Sequence, residues 1–134
     1  MKIRKIIIIL LIVIVVVIAV FFATRRVNVV LIGTDKVEKN SYRADTIIFV
    51  SYKPFQKKLS MLSIPRDTLI ESSGFNPVKN NISNRVKINS LYMYGFLNGG
   101  SKKGCELIAK VVSDLLQTRV PFYIHINYDG FVKI

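Results

Sequence analysis

The sequence predicts one small α/β domain, a mixed β-sheet with helices packed on it, preceded by a single transmembrane helix. Three observations lead to this prediction: an unbroken apolar run near the N-terminus, β-branched segments bounded by turn residues, and one segment whose apolar residues recur at helical spacing. A chain of 134 residues has room for one domain of ordinary size. Its 51% content of hydrophobic residues excludes an intrinsically disordered protein.

The apolar run covers residues 6–23 and contains only Ile, Leu, Val, Phe and Ala. As a helix it spans about 27 Å, close to the roughly 30 Å hydrocarbon core of a bilayer. We interpret it as an uncleaved signal anchor, because it is longer than the apolar part of a cleaved signal peptide and lacks an A-x-A-like cleavage site. A cleaved signal peptide is the alternative. The predicted division is a basic cytoplasmic end at 1–5, the anchor at 6–23 and an extracytoplasmic domain at 24–134.

The charge of the chain indicates an anionic partner, since 20 Lys and Arg against eight Asp and Glu give a net charge of +12. Lys2, Arg4 and Lys5 precede the apolar run, whereas Arg25 and Arg26 follow it. This small difference favours a cytoplasmic N-terminus. The predicted location is therefore the bacterial cytoplasmic membrane, in single-pass topology. With the domain outside the cell, nucleic acid is not expected as a partner, and an anionic lipid or a phosphate-rich polymer is.

Four strands and two helices are predicted beyond the anchor. The strands lie at 27–33, 45–52, 59–64 and 121–127, and the helices lie at 88–97 and 102–117. Gly33 is taken as the end of the first strand, and the turn around Pro54 makes the second and third strands an antiparallel pair. Residues 71–84, rich in Ser, Asn, Gly and Pro, are expected to form a loop.

The chain has a single cysteine and a single histidine, which excludes a disulfide framework and a Cys/His zinc site. Cys105 falls at an apolar position of the second predicted helix, so it is expected in the core. His125 is expected to be an ordinary sheet residue.

Three of the five aspartates follow predicted strand ends, where open α/β sheets bind ligands. An antiparallel second and third strand, with the first parallel to the third, would gather Asp35, Asp45, Arg43 and Arg66 at one edge. Carboxylates beside guanidinium groups suit a Mg²⁺–pyrophosphate site, because carboxylate oxygens hold the metal and Arg binds phosphate oxygens in pairs. The alternative is structural, since Asp is also a common turn and cap residue.

Four segments resemble the LytR-CpsA-Psr family of cell-wall glycopolymer ligases, in the right order and with ordinary spacing. They are NVVLIGTD, YRADTIIFVSYKPFQKKLSMLSIPRDT, RVKINSLYMYG and PFYIHINYDGF, which together run from about Val27 to Phe131. GTD is a weak signal alone. The pair of strands that connects RADT with IPRDT, followed by KIN, is a strong one.

The resemblance implies an enzyme that transfers a glycopolymer from a polyprenyl-pyrophosphate carrier to peptidoglycan. The polymer is a wall teichoic acid, a capsule or another secondary polymer, depending on the member. The resemblance also implies that Asp35 and Asp45 bind Mg²⁺, and that Arg43, Arg66 and Lys87 bind the pyrophosphate. Arg43, Arg66 and Asp45 are the expected catalytic residues.

Family domains continue well beyond the matched segments, so the resemblance implies that this chain holds roughly the first half of such a domain and that the domain is truncated at its C-terminal side. Whether the chain is an enzyme is left open. The alternative is a non-catalytic, membrane-anchored domain that binds anionic wall polymer or lipid pyrophosphate.

Overall fold

The computed structural model describes residues 2–38, 41–71 and 85–127. The chain divides into two compact units. The first unit comprises residues 1–27 and 51–60, and the second unit comprises residues 28–50 and 61–134.

Three helices and six strands make up the described residues: α1 (Lys2–Thr24), β1 (Val27–Glu38), β2 (Ser41–Lys53), β3 (Lys58–Ser63), β4 (Leu69–Glu71), β5 (Arg85–Lys87), α2 (Ile88–Leu97), α3 (Gly100–Leu115) and β6 (Phe122–Asn127). Four strands form one sheet in the order β3-β2-β1-β6, with β6 parallel to β1. The short strands β4 and β5 form an antiparallel pair of their own. The predicted mixed α/β fold is confirmed.

Helix α1 is long and apolar enough to cross a membrane over Ile3–Val20. Its apolar side chains over this window are all exposed, in contrast to those of a core helix in a soluble protein. Its role as an uncleaved anchor, its orientation and the boundaries drawn around it stay predictions.

The first two strands are longer than predicted, and Gly33 does not end β1. A Cβ atom on Gly33 would lie 3.1 Å from the Cβ atom of Thr46 on β2, so this glycine marks a close approach of two strands. As a result, Asp35 lies within β1 and Asp45 lies within β2, rather than beyond strand ends. The expectation that these two aspartates follow strand ends was wrong.

The core of the second unit lies between one face of the sheet and the helices α2 and α3. The fully buried apolar side chains include Val30 and Ile32 of β1, Leu91 of α2, and Ile108 and Val112 of α3. The two helices pack closely at two glycines, because a Cβ atom on Gly95 would lie 2.5 Å from the Cα atom of Gly104. 

Cys105 is buried in this core, as expected, and burial raises the pKa of its thiol to about 11. The thiol is therefore protonated and unreactive at neutral pH.

The opposite face of β6 carries Phe122, Ile124 and Ile126, all largely exposed. They alternate with Tyr123 and His125, which face the buried side. The side chains of β6 therefore alternate between an exposed apolar face and a partly buried face.

The predicted loop is bracketed by a strand pair that the sequence pattern did not reveal. Leu69 pairs with Lys87, and Glu71 pairs with Arg85. Most of the loop, residues 72–84, lies outside the described residues.

Candidate functional site

Three segments of the second unit converge around one cavity. A backbone hydrogen bond of 2.9 Å from the Ile64 N–H to the Ile47 carbonyl aligns the end of β3 with β2, which brings the following turn next to Asp45. That turn is closed by the Thr68 N–H and hydroxyl, which both donate to the Pro65 carbonyl.

The same turn holds the beginning of α2. The N–H groups of Ile88 and Asn89 donate to the carbonyls of Thr68 and Arg66, at 2.9 and 3.2 Å. Lys87, the N-cap residue, makes no side-chain cap, so these carbonyls satisfy N–H groups that a helix start leaves open. Arg66 and Lys87 are thereby placed beside each other by backbone contacts.

A chain of ion pairs links the three segments. The Arg66 Nη1 atom lies 2.7 Å from the Asp45 Oδ1 atom, and the Lys87 Nζ atom lies 2.7 Å from the Asp67 Oδ1 atom. A longer contact of 3.8 Å joins Arg66 to Asp67. The hydrogen bond and charge of Lys87, with a smaller contribution from Arg66, hold the pKa of the Asp67 carboxyl below its usual value.

The cavity between these segments has a volume of about 680 Å³ and is predominantly basic. It is lined by Arg43, Asp45, Arg66, Asp67, Arg85, Val86, Lys87, Asn89, Ser90 and Tyr94. Four cations therefore face two carboxylates, which leaves an excess of positive charge. Arg43 makes no side-chain ion pair with any other residue in the described part of the chain. A wall of this composition attracts an anion with more than one charge.

A second, smaller cavity of about 270 Å³ adjoins Asp45 on another side. Asp35, Thr34, Thr46 and Asn127 also line it, so Asp45 contributes to both cavities. Among the described residues no group of three or more His, Cys, Asp or Glu is placed to hold a metal. Asp35 and Asp45 both line this second cavity, and Mg²⁺ is an ion that proteins bind through one or two carboxylates together with substrate phosphates and water.

The position of Asp35 depends on its neighbour Thr34, whose side chain makes a partly buried polar contact. The Thr34 hydroxyl lies 2.8 Å from the Nε2 atom of His125, and the Tyr92 hydroxyl lies 3.4 Å from the same nitrogen. Burial lowers the pKa of His125, so its imidazole is neutral at pH 7. His125 is a sheet residue, as expected, and it fixes the β1 segment that carries Asp35 to β6.

The structure thus brings Arg43, Asp45, Arg66 and Lys87 to one cavity and places Asp35 on the adjoining one. Three further residues of the cavity, Arg85, Asn89 and Ser90, were not predicted as members of this site. A signal for Arg85 was present, because Arg85 and Lys87 are two positions apart and side chains at that spacing share one face of a strand.

The chain is similar to known proteins over most of its length. Residues 17–134 match the sequence profile of the LytR_cpsA_psr family. The polyisoprenyl-teichoic acid–peptidoglycan teichoic acid transferase TagU of Oceanobacillus iheyensis is 33% identical over 105 residues, which cover 78% of this chain and 30% of that protein. The regulatory protein MsrR of Staphylococcus aureus is 28% identical over 109 residues, which cover 81% of this chain and 28% of MsrR.

The crystal structure of Bacillus subtilis TagV is similar in fold, with a TM-score of 0.59 and 27% sequence identity. The match covers 81% of this chain and 38% of the TagV chain. The chain spans about 30% of the length of the curated relatives named above.

Proposed function

This chain belongs to the LytR-CpsA-Psr family, and on that premise we propose that it forms the pyrophosphate- and metal-binding part of an enzyme that transfers a glycopolymer from a polyprenyl-pyrophosphate carrier to peptidoglycan. Teichoic acid is the polymer named for the relative TagU. The observation that carries the proposal is the basic cavity of the second unit, in which Arg43, Arg66 and Lys87 lie around two carboxylates.

The cations of this cavity are suited to a pyrophosphate. Arg66 is held by Asp45 through one Nη atom, which leaves the rest of its guanidinium group for phosphate oxygens. Lys87, the N-cap residue of α2, supplies a compact positive charge on another side of the cavity. Arg43 adds a third cation on the β2 side.

Asp35 and Asp45 are the residues that would hold Mg²⁺. When bound, the ion would neutralise part of the negative charge on the phosphate oxygens. The contact between Asp45 and Arg66 places the proposed metal ligand next to a proposed phosphate ligand, so one change at Asp45 affects both functions.

The proposed reaction is phosphoryl transfer. An acceptor sugar hydroxyl attacks the sugar-linked phosphorus, the new P–O bond forms, and the bond to the bridging oxygen breaks to release polyprenyl phosphate. The hydroxyl proton passes to solvent or to one of the two carboxylates, Asp35 and Asp45. The chain's part in this step is to position the pyrophosphate and to neutralise the charge that develops on the bridging oxygen, through Arg66 and Lys87.

The apolar helix α1 supports membrane anchoring near such a lipid-linked substrate. The topology we propose has residues 1–5 in the cytoplasm and residues 24–134 outside the cell.

The proposal is tested with the full chain in detergent micelles, by calorimetric titration with geranylgeranyl pyrophosphate in Mg²⁺ and in EDTA. We expect Mg²⁺-dependent binding that Asp45→Asn removes, and at least about tenfold weaker binding for Arg66→Lys, which keeps the charge and loses the paired donors. Lys102→Gln on the exposed side of α3 removes one positive charge outside the cavity and serves as the matched control.

Binding that is unchanged in Asp45→Asn and in Arg66→Lys would disprove the proposed site. Binding to the lipid pyrophosphate without transfer, in a chain completed with the remainder of a relative's domain, would favour the non-catalytic alternative.

A further inference from the structure

The first unit carries charge of only one sign. Its residues, 1–27 and 51–60, include eight Lys and Arg and no Asp or Glu. Three of the cations precede the apolar part of α1, and the other five are Arg25, Arg26, Lys53, Lys57 and Lys58. The remainder of the chain holds twelve Lys and Arg against all eight acids. The first unit therefore contributes positive side chains and no acidic ones.

A cavity joins the C-terminal end of α1 to the turn between β2 and β3. It has a volume of about 280 Å³ and is lined by Arg26, Lys53, Phe55 and Gln56. Arg26 follows the last residue of α1 by two positions. If α1 crosses a bilayer, Arg26 lies at the level of the lipid headgroups, and the turn that shares its cavity lies at the same level.

The turn is built to present its side chains outward. The Lys57 N–H donates to the Pro54 carbonyl at 3.1 Å, and Lys57 adopts the left-handed conformation with φ of 48°. Gly or Asn is favoured in that conformation, so a lysine there keeps a charge at some backbone cost. Phe55, at the tip, is 80% exposed, and Leu59 is also exposed.

From these observations we infer that the β2–β3 turn docks on the phosphate headgroups of anionic lipids in the leaflet at the C-terminal end of α1, with Phe55 inserted at the interface. Lysine charges are attracted to a negatively charged lipid surface, and an aromatic ring beside them fits the boundary between headgroups and acyl chains. The docked turn would limit rotation of the strands that follow the anchor. This inference is independent of the pyrophosphate site, since it uses none of the residues of that site.

A single fluorescent reporter tests the docking. The chain contains no Trp, so Phe55→Trp in the full chain introduces a unique probe. The variant is reconstituted into nanodiscs of phosphatidylcholine or of phosphatidylglycerol, and Trp emission and quenching by acrylamide are measured. We expect a blue-shifted emission and at least about threefold weaker quenching in phosphatidylglycerol, an effect that is lost at 1 M salt, where the screening length is about 3 Å.

A charge-removal series identifies the cause. Each cation at an anionic surface changes the ratio of docked to undocked turn about fivefold, so Lys53→Gln, Lys57→Gln and Lys58→Gln together should change it about a hundredfold and expose the probe. Lys57→Gly alone removes one charge and relieves the left-handed backbone, so weaker docking in this variant cannot arise from a damaged turn. The matched control removes three positive charges from α3, at Lys102, Lys103 and Lys110, and should leave the probe unchanged.

Equal quenching in the two lipids overturns the inference. Protection in phosphatidylcholine that appears only after soluble polyglycerol phosphate is added also overturns it, in favour of a polymer as the partner of the turn.

Discussion

The two units of the chain use the same residue types for different surroundings. In the first unit, Ile and Val side chains of α1 are exposed along the whole helix, and the charges are all positive and lie beyond its apolar part. In the second unit, Val30, Ile32, Ile108 and Val112 are buried in the core between the sheet and two helices. Two cations of its site, Arg66 and Lys87, form ion pairs with carboxylates.

Composition alone therefore does not predict what an apolar or basic residue contributes to the molecule. An isoleucine stabilises the second unit because folding removes it from water, whereas the solvent suited to α1 is a bilayer. A lysine in the first unit is suited to an external anionic surface, whereas Lys87 is held in position by Asp67. The same kind of substitution, made once in each unit, therefore distinguishes the two roles of an apolar or basic residue.

The largest expected difference comes from one pair of substitutions. Ile108 is fully buried, and Ile108→Ala should lower the free energy of unfolding of the second unit by about 2–5 kcal/mol, because it removes buried contacts and leaves a cavity. Ile12 is 57% exposed, and Ile12→Ala should leave that free energy unchanged. Denaturant unfolding of the full chain in detergent, followed by near-ultraviolet circular dichroism, measures both. Equal losses in the two variants would show that α1 and α3 unfold together in one cooperative unit.

A glycine substitution tests how tightly the second unit is packed. Gly95→Ala should destabilise it by about 1–3 kcal/mol, because the new methyl group would meet the backbone of Gly104. The sign of this change in stability is informative, because helix propensity alone would make the alanine variant more stable by about 1 kcal/mol. Lys102→Ala, on the exposed side of α3, is the control, and thermal unfolding is the measurement. A stabilised Gly95→Ala protein would mean that the helices can move apart at no cost.

The half-buried imidazole of His125 predicts a pH dependence confined to the second unit. Burial lowers the pKa of His125, so the unfolded chain binds a proton before the folded one as the pH falls below about 6.5. Stability is therefore fully present above that pH and is lost as the pH falls towards the lowered pKa. His125→Gln cannot titrate and should flatten this part of the profile, whereas His125→Ala should also lose about 0.5–1.5 kcal/mol with the hydrogen bond to Thr34. Unfolding temperatures between pH 7.5 and 5 in all three proteins measure the effect, and parallel profiles would contradict it.

The smallest expected effect comes from removing one acidic side chain from the site of the second unit, which makes its charge more nearly all positive, as in the first unit. Asp67→Asn removes a carboxylate that faces Lys87 and Arg66, so it should tighten pyrophosphate binding about two- to fivefold. The unfolding temperature should change little, because this pair is exposed. Asp45→Asn should act in the opposite direction in Mg²⁺. Titration calorimetry compares the two, and weaker binding in Asp67→Asn would assign a ligand-holding role to that carboxylate.

The regular elements with a clear pattern were predictable from the sequence. Helix α2 begins and ends where predicted, because Gly99 and Gly100 follow its last apolar residue, and β3 and β6 agree within a residue. The first strand was cut short at Gly33 because glycine was taken as a breaker. In the fold the same residue permits close strand contact with Thr46.

The site was predictable only in part. The gathering of Asp45 and Arg66 followed from pairing β2 with β3, and the structure brings them into contact. The β4–β5 pair was not predictable, since three residues per strand are too few to show a period, and the pairing joins residues far apart in the chain. Arg85 enters the site through that pair and was missed for the same reason.

The parallel pairing of β1 with β6 sets an order of events during synthesis of the chain. Thr34 and His125, which hydrogen-bond across these strands, are 91 positions apart. At about 5–20 residues per second, the ribosome needs roughly 5–18 s to make the intervening segment. Over that interval one edge of β1 has no strand to accept its hydrogen bonds, while the hairpin of β2 and β3 and the contacts between α2 and α3 can form locally. Until β6 has been made, this edge of β1 is open to pairing with a strand of another chain.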